Sequence, residues 1–389
     1  MTMTLRHSLV VLAATALTFS LAACGMSSGG GSTPIADSGA APTPTTTDTT
    51  AADPTDAPVP AVASGERPDP AADIVCNDLT DPAQLDPVFA VPVNLAPPTR
   101  TFEYVGAQIA DEWIIRQGGG VACQWSDPEG ISTSEGRYLA GMDLRLVRAS
   151  GPQWQEFSDA QGDGSDRRFV CDDYGNCDYD RYFSSGWWLS LSAFNIDALS
   201  SPTASALRTL TSPVFSSIAS TVASLPAPGP AWAPPVPDVR FGGGCAGVIT
   251  GARLRAAVGM SGAATLEEDN YPRAAKAALD AVGGTDCRWS LTSPDFDVIY
   301  IQSLPGGAWA QAEQTAAMEA NGASVPSPAV PGVPAGATSY FEHVDSSSLD
   351  IVLGGSWVKI SIGHGTNTGA LSEHAALIAI AADIAAHAS

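Results

Sequence analysis

Gly119-Gly120-Val121-Ala122-Cys123-Gln124-Trp125-Ser126 and Gly283-Gly284-Thr285-Asp286-Cys287-Arg288-Trp289-Ser290 both read G-G-x-x-C-x-W-S. The match predicts that the chain carries one unit twice. Upstream, Cys76 and Cys245 each precede a Leu by nine positions (Leu85 and Leu254), with Thr80 and Thr250 between them as candidate helix caps. Aligning the half-repeats pairs Cys76 with Cys123 and Cys245 with Cys287. Cys171 and Cys177 then close a hairpin across Asp-Tyr-Gly-Asn, a feature with no counterpart in the second copy.

The downstream pattern repeats as well. Tyr138 to Val147 alternates, with Met142, Leu144 and Leu146 on one face, and so does Phe296 to Ile301, with Phe296, Val298 and Tyr300. An aromatic-led helical stretch follows in each half, Trp154 to Ala160 and Trp309 to Ala320. Extended patterns return at Arg168 to Cys171, Tyr179 to Phe183 and Trp187 to Phe194, answered by Thr338 to His343, Leu349 to Leu353 and Trp357 to Ile362. Both halves close on a helix, Ala204 to Leu225 and Leu371 to Ala386, the latter with Leu371, Ala375, Ile378 and Ala382 near one stripe. The expected fold is therefore α+β, with two tandem similar domains at 72–225 and 238–389. Each is an antiparallel sheet with helices packed on it and a disulfide staple, and a Pro-rich joint at 226–237 connects them.

Outward from this pair, the first residues set an address. Arg6 and His7 precede an uncharged apolar run from Leu9 to Ala23, too short for a span of about 20 residues. Residues 1–23 read as a signal peptide. The end, Leu21-Ala22-Ala23-Cys24, resembles a bacterial lipobox, which implies acylation of Cys24 and a lipid anchor on the extracytoplasmic face of the cell membrane. Residues 24–71 are rich in small residues, Pro and Thr, and read as a disordered tether.

Composition narrows the partners. With 41 acidic against 18 basic residues the formal charge is −23, which repels nucleic acid. Lys276 and Lys359 are the only lysines, so there is no polybasic run to hold an anionic bilayer.

A lipobox, a Thr/Pro tether, then Cys before T-x-x-x-L and a second Cys in G-x-x-C-x-W resemble cell-envelope lipoproteins of actinobacterial type, here with the domain duplicated. That resemblance implies a fold and an extracytoplasmic location, and it carries over no catalytic residue.

The search for chemistry yields little. Ser261 in Gly259-Met260-Ser261-Gly262-Ala263 lacks the last Gly of a nucleophile elbow, and its preceding residues look helical. Ser356 and Lys359 fit S-x-x-K but lie on a strand, where positions three apart face opposite sides. His343, His364, His374 and His387 show no metal-ligand spacing. The EF-hand-like run from Asp159 to Gly164 has Val170 where a bidentate Glu belongs. No cofactor and no metal site is assigned.

The aromatics remain. Aligning Trp188 with Trp357 places Leu189, Leu191 and Ala193 with Val358, Ile360 and Ile362 on one apolar face, and both Trp residues on the opposite, polar face. Trp187, Trp188 and Trp357 are the candidate contacts of an aromatic groove. The expected function is a non-catalytic binding or sensing protein that captures an envelope protein, a lipid or a neutral glycan. An envelope hydrolase is the alternative, and it would need a deep pocket with paired carboxylates or a Ser-His contact. A purely structural assembly lipoprotein would instead bury these Trp residues and leave no pocket.

Overall fold

The computed structural model describes residues 66–389 apart from 90, 97–107, 128–130, 134–135, 139, 163, 197–202, 231, 233–238, 240, 243, 261–262, 269–272, 292–297, 321, 343–345, 364–370 and 389. The signal peptide, Cys24, nearly all of the tether, Ser261, His343 and His364 lie outside the described residues. Among the described residues no helix is long and apolar enough to cross a membrane.

The first copy runs α1 (Cys76–Leu79), α2 (Pro82–Leu85), β1 (Asn94–Leu95), α3 (Asp111–Gln117), β2 (Val121–Ser126), β3 (Ile131–Thr133), β4 (Gly136–Tyr138), β5 (Gly141–Arg148), α4 (Gly151–Ala160), β6 (Arg167–Cys171), β7 (Cys177–Tyr182), β8 (Trp187–Phe194) and α5 (Ala204–Ala223). The second runs α6 (Cys245–Val248), α7 (Gly251–Val258), β9 (Thr265–Glu268), α8 (Ala274–Ala281), β10 (Thr285–Ser290), β11 (Val298–Leu304), α9 (Ala308–Ala320), β12 (Thr338–Glu342), β13 (Ser346–Leu353), β14 (Ser356–Gly363) and α10 (Glu373–His387). The fold is α+β, and the duplication extends to topology. One six-stranded sheet has the order β1-β2-β5-β8-β7-β6, and the other has β9-β10-β11-β14-β13-β12. All pairs are antiparallel, and the small β3–β4 hairpin belongs to the first copy alone.

The motif G-G-x-x-C-x-W-S has a physical cause at each fixed position. Gly119 and Gly283 take φ of +74° and +73°, a left-handed conformation that glycine adopts without the Cβ clash. At Gly120 a Cβ would lie 2.5 Å from the Leu146 carbonyl oxygen, and at Gly284 it would lie 2.7 Å from that of Ser303. The second glycine therefore lets the helix turn press against the neighbouring strand. Cys123 and Cys287 bond Cys76 and Cys245, and the hairpin closes through Cys171 and Cys177. Trp125 and Trp289 fill the cores beneath the two sheets.

Several local expectations shift. Thr250 caps α7 through Arg253 N, but in the first copy Asp81 takes that role by accepting from Ala83 N. Pro82 fits the first helical position and moves the start one residue past Thr80. On α10 the buried stripe is Ala376, Leu377, Ile380, Ala381 and Ile384, rather than one through Leu371, Ala375, Ile378 and Ala382. The helix is apolar nearly all round, so the sheet beneath it selects the stripe. On β11 the residues facing the core under α10 are Ile299 and Ile301, out of phase with Val298 and Tyr300. That strand is paired on both sides, and register sets its phase.

One face of each sheet carries its own core. Met142, Leu144, Leu146, Leu189, Leu191 and Ala193 lie under α5 in the first copy, and Val358, Ile360 and Ile362 lie under α10 in the second. The two opposite faces meet. A third core joins Trp113, Ile114, Trp154, Phe157 and Trp188 to Ala277, Ala278, Leu279, Trp309 and Trp357, with α3 against α8 and α8 against β5 and β8. Residues of both copies accordingly fall in one compact unit.

Candidate functional site

The surface between the copies is too well filled to be a binding cleft. Trp113 and Trp309 meet edge to face at 5.9 Å. Gln117, fully buried, accepts from Trp309 Nε1 (2.6 Å) and donates to the Pro305 carbonyl oxygen (2.6 Å). Ile109 N–H donates to Gln302 Oε1, and Gln108 Nε2 donates to Asp286 Oδ1 at 3.2 Å. Asp286 also pairs with Arg273 at 3.3 Å. Polar groups sealed this way stabilise the interface only while every partner is present.

This packing corrects the aromatic-groove expectation. Trp188 and Trp357 do stand on the face opposite the leucine and isoleucine row, but that face is covered by α4 or α9 of its own copy together with the other copy, and both are at most 1% exposed. Trp154 and Phe157 close over Trp188 at 5.3 and 4.7 Å. Trp187 lies on the other face, buried in the first copy's own core, with Nε1 donating to the Pro226 carbonyl oxygen. Beside Trp188 there is only a crevice of about 50 Å³.

The remaining motifs are structural too. Ser356 Oγ donates to the Val239 carbonyl oxygen, while Lys359 pairs with Asp350 at 3.5 Å, so Ser and Lys do not form a dyad. In the acidic hairpin Asp172 accepts from Tyr174 N and Asn176 N, and Asp178 accepts from Ser192 Oγ. Asp180 accepts from Trp188 Nε1 and pairs with Arg168. No three acidic, Cys or His residues converge on a metal-sized point among the described residues.

A cavity of about 260 Å³ does open elsewhere, in the first copy, between α3, the end of β1 and the strands β2 and β5. Leu95, Ala96, Ala110, Ile115 and Ala122 give it apolar walls, and Asp111, Glu112, Arg116, Gln124, Asp143 and Arg145 give it charged and polar groups. The local sequence explains the placement. Ala122 and Gln124 alternate on β2, opposite Arg145 and Asp143 on β5. Asp111 and Glu112 occupy the first turn of α3 and Arg116 its last, each at the end that the helix dipole favours.

The charges interlock. Arg145 Nε reaches Asp111 Oδ2 and its Nη2 reaches Asp143 Oδ2, both at 3.3 Å. Arg116 Nη2 lies 2.9 Å from Glu112 Oε1, and its guanidinium stacks over Trp113 at 5.5 Å. Asp143 Oδ1 is buried, and besides Arg145 the side chain acting on this carboxyl is Gln124, directly across the strand pair. Burial raises the Asp143 carboxyl above its ordinary value against the pull of Arg145. It pushes Glu112 up to about 7, with Arg116 opposing and Glu313 and Asp143 adding to the rise. Apolar walls around a few convergent polar groups, with perturbed carboxyls among them, are features that small-molecule sites share.

None of these six charged or polar residues stood out in the sequence. The available signal was the i,i+2 pair Asp143 and Arg145 on the polar phase of a strand, and the i,i+4 pair Glu112 and Arg116 on a helix. Comparison with family models, curated proteins and solved structures finds no match.

Proposed function

We propose that this is a lipid-anchored, extracytoplasmic binding protein without catalysis, which captures an envelope component in the cavity beside α3. The lipobox-like Leu21-Ala22-Ala23-Cys24 supports the anchor, and the cavity supports the capture. The observation that carries the reading is one cavity with apolar walls and interlocked charges, the usual mixture by which a site holds and orients a small ligand. Larger envelope partners, a protein or a neutral glycan, would dock through a side chain or sugar small enough to enter it.

Native mass spectrometry of the exported chain carrying Cys24→Ala, before and after unfolding, tests this. Excess mass released on unfolding supports capture. A bare chain that also binds nothing from an envelope extract overturns it.

One observation favours hydrolysis as a second reading. Glu112 and Asp143 line the same cavity, and a carboxyl near 7 suits a general acid. Against it, Arg116 and Arg145 engage both carboxyls, and no Ser, His or free thiol is among the lining residues. Glu112→Gln separates the two, since it abolishes turnover in a hydrolase and leaves the co-purifying mass in a binding protein. The burial of Trp188 and Trp357 is what a purely structural role asks for, but such a role leaves the cavity unexplained.

A further inference from the structure

Within the capture reading, on which this step rests, the cavity's chemistry narrows the ligand. Three carboxylates, Asp111, Glu112 and Asp143, face two guanidinium groups, those of Arg116 and Arg145. Both guanidinium groups are already engaged: Arg145 bridges Asp111 and Asp143, and Arg116 holds Glu112 and covers Trp113. What is left over is acceptor capacity at Asp143, whose buried Oδ1 is faced only by the Gln124 side chain across the strand pair, and the negative charge of the third carboxyl once Glu112 ionises above about 7.

We propose that the cavity takes a primary amine carried on a small apolar body, with the ammonium donating to Asp143. An ammonium supplies both missing items, N–H donors and a positive charge. A hydroxyl supplies a donor alone, and a carboxylate or phosphate would have to break the Arg145 bridges to find a cation. The apolar body then lies along Leu95, Ala110 and Ile115. The overall charge of −23 draws cations toward the protein and repels anions.

The second copy carries no duplicate of this site. Strand register and the two Gly-Gly turns place Ala275, Lys276, Tyr300 and Gln302 where the first copy has Asp111, Glu112, Asp143 and Arg145. Of these only Lys276 carries a charge, and it is paired with Asp280 at 2.6 Å. Asp286, which replaces Ala122, is already held by Arg273 and Gln108. The stoichiometry should be one amine per chain.

The test is calorimetric titration of the full chain carrying Cys24→Ala with 2-phenylethylamine, 2-phenylethanol and 3-phenylpropanoate. The expected result is one amine bound per chain, at least tenfold tighter than the alcohol, with no binding of the carboxylate. Asp143→Asn should weaken the amine at least tenfold and leave the alcohol unchanged. Should that variant fold poorly, Ala96→Phe, which fills the cavity from the end of β1, should abolish binding of both. Equal affinity for amine and alcohol, or amine binding that survives Asp143→Asn in a folded chain, overturns the amine assignment while leaving capture standing. No binding of any probe also overturns the amine assignment, and the native mass of the purified chain then decides capture separately.

Discussion

The two copies share strand order, staple and Gly-Gly turn, yet they spend their charges differently. In the first copy the α3 pair runs Glu112 to Arg116, and at the same helical positions the second copy runs Lys276 to Asp280 with the signs exchanged. In the first copy Arg145 sits on β5 beside the cavity and Arg168 on β6 serves Asp180. In the second the matching carboxylate, Asp350, is met by Lys359 on β14, and both are fully buried. Burial raises Asp350 and lowers Lys359 from their ordinary values, each against the attraction of the other. Gln314 adds a donor to Asp350, and Phe341 receives the ammonium over its ring at 5.3 Å. The lesson is that duplication preserved the backbone and left the polar faces free to diverge. One became a sealed polar core and the other retained an opening.

The sharpest way to break this comparison is to attack the sealed pair. Lys359→Met leaves Asp350 buried and unpaired and should cost about 3–5 kcal/mol in chemical denaturation, while Lys359→Met with Asp350→Leu should recover most of that. Arg145→Met, at a side chain about a quarter exposed, should cost only about 1 kcal/mol. Equal losses at Lys359 and Arg145 would refute the contrast.

The shared interface offers a similar effect. Trp113→Ala should cost about 3–5 kcal/mol. Calorimetry should then resolve two transitions where the parent shows one, because the third core couples the copies. A single transition of unchanged shape would show that the copies are held together by something other than this core.

Staple removal comes next. Loops of 47 and 42 residues predict about 4 kcal/mol lost for Cys76→Ser with Cys123→Ser, and a similar loss for the Cys245 and Cys287 pair. The hairpin bond, separated by 6 residues, predicts about 2. Matching losses in the two long loops would confirm that the copies are stapled alike.

The last effect is electrostatic. Glu112 holds its proton up to about 7 in the folded chain and loses it near 4.5 when unfolded. Between those values the folded state binds more protons, so stability falls as pH rises from about 4.5 to 7, by about 3 kcal/mol at most. The charged groups acting on it are Arg116 on its own helix, Asp143 on β5, Glu313 on α9, and Arg67. Glu112→Gln should flatten that part of the stability profile, whereas Lys276→Met, at the matching position in the second copy, should leave it intact.

Much of this was legible in the residues themselves. The repeated G-G-x-x-C-x-W-S announced the duplication, the half-repeat alignment paired Cys76 with Cys123 and Cys245 with Cys287, and the remaining Cys171 and Cys177 close their hairpin, all as they are bonded. Those features are local: a left-handed glycine, a close approach and a covalent bond impose the same requirement in any surroundings. The short edge strands β1 and β9 were not legible, since Asn94–Leu95 has no room for an alternating pattern. Nor was the apolar stripe of α10, because almost every face of that helix would satisfy a core.

The sequence by itself thus determined two like α+β units, their staples and, on β5, β8 and β14, which residues face each unit's own core. Tertiary structure alone decided that the opposite faces meet, burying Trp188 and Trp357 that looked available for a ligand. It also decided that Asp111, Glu112, Asp143 and Arg145, up to 34 positions apart, surround one cavity. Chain periodicity reports which side of an element is apolar. What that side meets depends on how the elements pack, and no single segment of the chain encodes that.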